Sequence, residues 1–145
     1  MLTVSSFLLL DLDADIHLPL LAHTIPAGTP DRVDDLYADE SINLNRYLVR
    51  NPNTTFFVRV AGESMVDANI HHGDILVVDR SLTPTNGSIV VAYLDGELTV
   101  KRLQYHDRRL HLVPANHSYK SISIHHEAKL EILGVVTFVI HKIGL

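Results

Sequence analysis

The sequence predicts a mainly β protein: a compact, strongly bent sheet or partly open barrel, with one short helix and an extended N-terminal arm. Three observations predict it. Beyond Pro52 the chain breaks into short runs rich in β-branched and aromatic residues, separated by turn dipeptides such as Asn86-Gly87 and Asp95-Gly96. Only the stretch from Asp31 to Asn51 has helical character. The first 31 residues contain no lysine or arginine and are punctuated by Pro26, Gly28 and Pro30.

Taken in order, residues 1–30 read as the arm. Both prolines oppose helix, and Gly28 permits close approach by another group. Ser41 then stands where it can cap a helix of about two to three turns carrying Ile42, Leu44, Tyr47 and Leu48, which Asn51-Pro52 ends. Strands are predicted from Phe56 to Val60, Asp74 to Asp79, Ser88 to Leu94, Glu97 to Gln104, Arg109 to Val113 and Leu130 to Lys142. Asp95-Gly96 supplies a tight hairpin between two of them. Residues 31–145 are thus expected to form the folded domain.

Composition narrows the functions. At 145 residues the chain suits one modest core. Its formal net charge of -5 argues against a dedicated nucleic-acid surface. Cysteine is absent, so there is no disulfide or thiolate site, and the cytoplasm is the expected setting. The apolar run Phe7-Leu8-Leu9-Leu10 lacks a basic lead and is broken by Asp11, Asp13 and Asp15, so neither a signal peptide nor a membrane helix is expected. His71-His72 and His125-His126 are adjacent pairs whose rings point to opposite sides of an extended chain, and no His-Glu-x-x-His occurs. No metal and no cofactor are expected.

The residues that can carry chemistry are Ser64, in the turn-like Gly62-Glu63-Ser64-Met65, and Lys101, on an apolar strand. A serine hydroxyl needs a base to take its proton, and a neutral lysine can serve. An ordinary lysine pKa of ~10.4 leaves about one amine in a few thousand neutral at pH 7, so burial must lower it. Strand alternation places Thr99, Lys101 and Leu103 on one face and Leu98, Val100 and Arg102 on the other, letting Lys101 point inward and Arg102 outward. The turn before Ser64 leaves the backbone N–H groups of Glu63 and Ser64 as candidates for an oxyanion hole. Val66 replaces the second glycine of a Gly-x-Ser-x-Gly elbow. Ser64, His72 and Asp74 form a weaker, local alternative triad.

Blocks along the chain carry a family resemblance. Val60-Ala61-Gly62-Glu63-Ser64-Met65-Val66-Asp67, His72 to Asp79, Asn86 to Val90, Gly96 to Leu103, Leu112-Val113-Pro114-Ala115-Asn116 with Tyr119, and Leu133 to Val136 resemble the LexA/UmuD family of self-cleaving serine peptidases, in order and spacing. The resemblance implies Ser64 as nucleophile, Lys101 as general base, and Ala27-Gly28 in the arm as the bond cut. Only 27 residues precede Gly28, none of them basic, so a helix-turn-helix reading head and sequence-specific DNA binding are not expected.

A short arm, a self-cleavage bond and a catalytic domain are similar to the UmuD side of the family. That similarity implies a homodimer, cleavage stimulated by a RecA filament on single-stranded DNA, and a trimmed form that joins a Y-family, UmuC-like polymerase subunit in error-prone translesion synthesis. Where UmuD has cysteine before the scissile bond, this chain has Ala27. Competing readings are a signal peptidase, which also pairs serine with lysine, a non-catalytic polymerase-binding module, and a transcriptional regulator.

Overall fold

A computed structural model describes residues 16–22, 24–28, 32, 38–124 and 129–144. The Phe7–Leu10 run, Asp11, Asp13, Asp15, Pro30 and the His125-His126 pair lie outside them. The described residues fall into two compact units, one ending at Arg50 and the other beginning at Asn51.

In the first unit, β1 (Leu18–Leu21) pairs antiparallel with β2 (Ala38–Ile42), Leu18 opposite Ile42, as a two-stranded ribbon. Ala27 and Gly28 sit in an exposed bend between these strands. The helix α1 (Leu44–Leu48) follows, shorter than its pattern suggests. Its N-cap is Asn43, whose side chain accepts from the Arg46 N–H at 3.3 Å, and not Ser41, which is drawn into β2. Asn and Ser are near-equal caps, so the strand pairing of Ser41 with Pro19 decides between them.

The second unit is a seven-stranded antiparallel sheet in the order β3-β4-β9-β5-β6-β7-β8, open at both ends. Its strands are β3 (Thr55–Arg59), β4 (Ile75–Asp79), β5 (Ile89–Leu94), β6 (Glu97–His106), β7 (Arg109–Val113), β8 (Ile122–Ser123) and β9 (Leu130–Ile140). The mainly β class with one short helix is as the sequence predicts, and the sheet does not close into a barrel. Asp95 (φ 50°) and Gly96 (φ 85°) make the expected tight hairpin between β5 and β6.

Two cores flank the sheet. Phe56, Met65, Ile70, Leu76, Val78, Val91 and Ala115 form one, and Val90, Ala92, Leu103 and Leu112 the other. Successive side chains of β5 alternate between them, which is why Val90, Val91 and Ala92 are all fully buried. The pairing of β9 with β4 and with β5 shifts register at Val77/Val78 and at Val91/Ala92, irregularities of the kind that bend a strand. Gly134, opposite Val91, lies at this double irregularity: a Cβ there would stand 2.7 Å from Val78 Cγ1 and 3.0 Å from the Asp79 carbonyl oxygen. Only glycine lets the strands come this close.

Candidate active site

Strand β3 runs out into Val60, whose N–H donates to the Asp74 carbonyl and whose carbonyl accepts from the Gly73 N–H, both at 2.8 Å. This bridge closes the loop between β3 and β4 at its base. Gly62 turns the chain with φ 91°, a conformation that costs a side-chain-bearing residue dearly, and its N–H donates to His72 Nδ1 at 3.1 Å. Ser64 follows, half-buried, and then Met65, only 2% exposed, plugs into the first core. The Met65 carbonyl accepts from Ala68 and Ile70, fixing a 3-10 turn at Val66–Ala68. The serine is thus held between a left-handed glycine and a buried methionine.

Lys101 reaches the same place from β6. Its Nζ donates to Ser64 Oγ at 3.3 Å, to Thr99 Oγ1 at 3.0 Å and to the Val100 carbonyl at 3.0 Å. An ammonium has three N–H groups, and three oxygens receive them. No ion pair from Lys101 occurs among the described residues. Burial lowers its pKa below the usual lysine value, since among the described residues no neighbouring anion offsets the loss of water. Ser64 and Lys101 line a cleft of about 270 Å³ whose walls include Val58, Val60, Val91 and Thr99. The alternation expected of β6 holds for Thr99 and Lys101, which meet on one face. Arg102 is half-buried, so its outward exposure is only partial.

The local triad does not assemble. His72 Nδ1 is occupied by Gly62, and Asp74 accepts from His141 Nδ1 and from the His71 N–H at 2.8 Å. Burial alone would raise the Asp74 pKa, but the His71 N–H, followed by the His141 hydrogen bond and charge, lowers it below the ordinary aspartate value. Among the described residues no group of histidines and carboxylates is arranged to hold a metal ion. No described helix is long and apolar enough to cross a membrane.

Two contacts carry roles that sequence reasoning did not assign. Thr99 was placeable beside Lys101 by its two-residue spacing, yet nothing local marks its hydroxyl as a lysine acceptor. Asn116 donates from Nδ2 to the Glu63 carbonyl at 2.8 Å across 53 residues of sequence, and no local pattern announces such a bond.

Comparison with known proteins places the chain in a family. Residues 19–137 match the Peptidase S24-like family. Protein SamA of Salmonella typhimurium is 45% identical over 124 residues, covering 86% of this chain and 85% of that protein. Protein MucA of Escherichia coli is 46% identical over 121 residues, covering 83% of this chain and 82% of its own length. LexA repressor 2 of Pseudomonas syringae is 36% identical over 121 residues, which are 83% of this chain and 58% of the repressor. The chain therefore belongs to the Peptidase S24-like family of serine peptidases, the LexA/UmuD family, and groups there with UmuD-like relatives.

Proposed function

We propose that this chain is a UmuD-like, single-use peptidase that cuts its own Ala27-Gly28 bond, with Ser64 as nucleophile and Lys101 as general base. The observation that carries the reading is the Lys101 Nζ to Ser64 Oγ hydrogen bond of 3.3 Å, made by a lysine whose pKa is lowered by burial. Loss of one proton leaves an amine with two N–H groups and one lone pair. Thr99 Oγ1 and the Val100 carbonyl hold the two hydrogens, so the lone pair faces Ser64 Oγ. That is the orientation a general base needs.

The steps follow. Lys101 Nζ takes the Ser64 proton as Oγ attacks the Ala27 carbonyl carbon, and the new C–O bond leaves a tetrahedral oxyanion. The Glu63 and Ser64 backbone N–H groups, which donate to no other group among the described residues, are suited to receive that charge. Collapse breaks the Ala27-Gly28 bond, and the Lys101 ammonium returns its proton to the departing Gly28 nitrogen. Water, deprotonated by the same amine, then releases residues 1–27 from the serine ester. A small Ala27 and a Gly28 without a side chain suit close approach to the serine, and both stand exposed in their bend.

In the wider reading, a RecA filament on single-stranded DNA favours the cleaving conformation. The trimmed chain, as a homodimer, then serves a Y-family polymerase subunit in SOS mutagenesis. The relatives SamA and MucA support it. Mass spectrometry after alkaline incubation, with and without RecA filaments, tests it beside Ser64→Ala and Lys101→Ala. A new terminus at Gly28 is expected in the parent alone, and cleavage there in either variant would overturn the assignment.

A further inference from the structure

The segment Pro114-Ala115-Asn116 packs against the Ser64 loop but takes no part in the steps above. Three contacts join them. The Asp67 N–H donates to the Ala115 carbonyl at 2.6 Å, the Ala115 N–H meets Met65 Sδ at 3.3 Å, and Asn116 Nδ2 donates to the Glu63 carbonyl at 2.8 Å. The first two involve positions flanking the serine on its far side. The third grips the peptide group that leads into it.

That peptide links Glu63 to Ser64, so its carbonyl oxygen and the Ser64 N–H lie on opposite edges of one rigid plane. A hydrogen bond accepted by the oxygen fixes the direction of the N–H and, by drawing electron density through the amide, makes it a stronger donor. The orientation of the Asn116 amide is itself determined. Its Oδ1 accepts from the Ser118 N–H at 3.0 Å, closing an Asx turn, and its backbone carbonyl accepts from the Tyr119 N–H at 3.0 Å. A flipped amide would set oxygen against the Glu63 oxygen and nitrogen against the Ser118 nitrogen.

We infer that Asn116 is a positioning residue for self-cleavage: it locks and polarises the Glu63–Ser64 peptide so that the Ser64 N–H is aimed at the developing oxyanion. The inference rests on the reading of Ser64 as nucleophile. Among the described residues the Asn116 side chain bonds to the Glu63 carbonyl and the Ser118 N–H and not to Ser64 Oγ or Lys101 Nζ, so it acts through a single peptide plane. Aspartate at this position would keep the acceptor for Ser118 and remove the donor to Glu63.

The test follows self-cleavage against pH for the full chain, Asn116→Ala, Asn116→Asp and Ser64→Ala, with thermal melts and the Ser64 amide nitrogen shift by NMR. Both Asn116 variants should lose about tenfold or more in the alkaline plateau rate, since a misaimed oxyanion donor slows chemistry. In Asn116→Ala the pH midpoint, set by Lys101, should stay in place. The Ser64 amide shift should move in both, because the preceding carbonyl has lost its bond. A plateau within twofold of the parent in both variants, a midpoint that moves in Asn116→Ala, or an unchanged Ser64 amide shift would each overturn the inference. If Asn116→Ala melts early, Asn116→Asp, which keeps the Asx turn, carries the measurement. Cleavage that persists in Ser64→Ala would instead sink the nucleophile assignment, and the amide shift still judges Asn116 on its own.

Discussion

Lys101 Nζ stands 3.3 Å from Ser64 Oγ, while its two other acceptors, Thr99 Oγ1 and the Val100 carbonyl, belong to its own strand. The strand orients the amine, and among the described residues the serine is the partner brought from elsewhere in the sequence. Self-cleavage should therefore depend on the neutral fraction of Lys101, rising with pH and levelling off below the ordinary lysine pKa of 10.5, from which burial lowers it. A rate that nowhere rises with pH below 10.5 would contradict this.

Thr99 is expected to matter through its hydroxyl alone. Thr99→Val keeps the shape and removes the acceptor, so the amine loses one of the two bonds that aim its lone pair, and cleavage should fall by about tenfold or more. Thr99→Ser should recover most of the rate. Equal rates in the two variants would show that the contact is incidental.

Lys101 also bears on stability. Between its lowered folded pKa and the unfolded value of ~10.4, the unfolded chain binds more protons, so its contribution to stability improves as pH rises through that window. At neutral pH, below the unfolded value, burial of Lys101 therefore costs the fold stability. Lys101→Met, similar in length and uncharged, should melt at or above the parent at pH 7 while losing cleavage, as differential scanning calorimetry can read.

Asp79 gives the opposite sign. It is 4% exposed and accepts from Thr54 Oγ1 at 2.8 Å, Ser81 Oγ at 2.7 Å, the Ser81 N–H at 2.8 Å and Asn51 Nδ2 at 3.4 Å. Burial pushes its pKa up, but these donors, led by Ser81, bring it below the usual aspartate value of 3.8. Its stabilisation is complete above the unfolded pKa and is lost as pH falls through the lower folded one. Asp79→Asn should destabilise by about 1–3 kcal/mol at pH 7, with the gap closing under stronger acid. Urea titrations at the two pH values measure it.

Gly134→Ala adds one methyl group where Val78 and the Asp79 carbonyl already crowd the strand. Overpacking of this kind costs about 1–3 kcal/mol, and the backbone contact leaves little room to relax. Urea unfolding of the variant should show the loss, and a midpoint equal to the parent's would mean the sheet yields there.

Much of the main sheet was legible because its strands carry strong local signals. Val77-Val78, Val90-Val91 and Val135-Val136 are β-branched runs, and Asp95-Gly96 fixes a hairpin whose partners are adjacent in sequence. Predicted bounds for β3 to β7 agree with the structure to within one or two residues, and β7 agrees at both ends. The ribbon of β1 and β2 was not legible: Pro19 interrupts one strand, Asp39-Glu40 disfavours the other, and only distant pairing makes either a strand. Two residues of β8 are too few to carry a period. Ser64 and Lys101 stood out by residue type and block spacing. The bonds around them did not: Asn116 reaches Glu63 across 53 residues and Met65 meets Ala115 across 50, while Thr99, only two residues from Lys101, carries no local mark of a lysine acceptor.

Among the described residues, β6 and the Ser64 loop are joined by one side-chain hydrogen bond, Lys101 Nζ to Ser64 Oγ, and 37 residues of sequence separate its ends. Sliding the loop by about an ångström would break that bond beyond hydrogen-bonding range while every β-ladder stayed paired and Lys101 kept both of its strand-borne acceptors. That bond is thus the part of the arrangement most sensitive to where the loop sits: a shift too small to disturb the sheet is enough to part the Ser64 hydroxyl from the Lys101 amine.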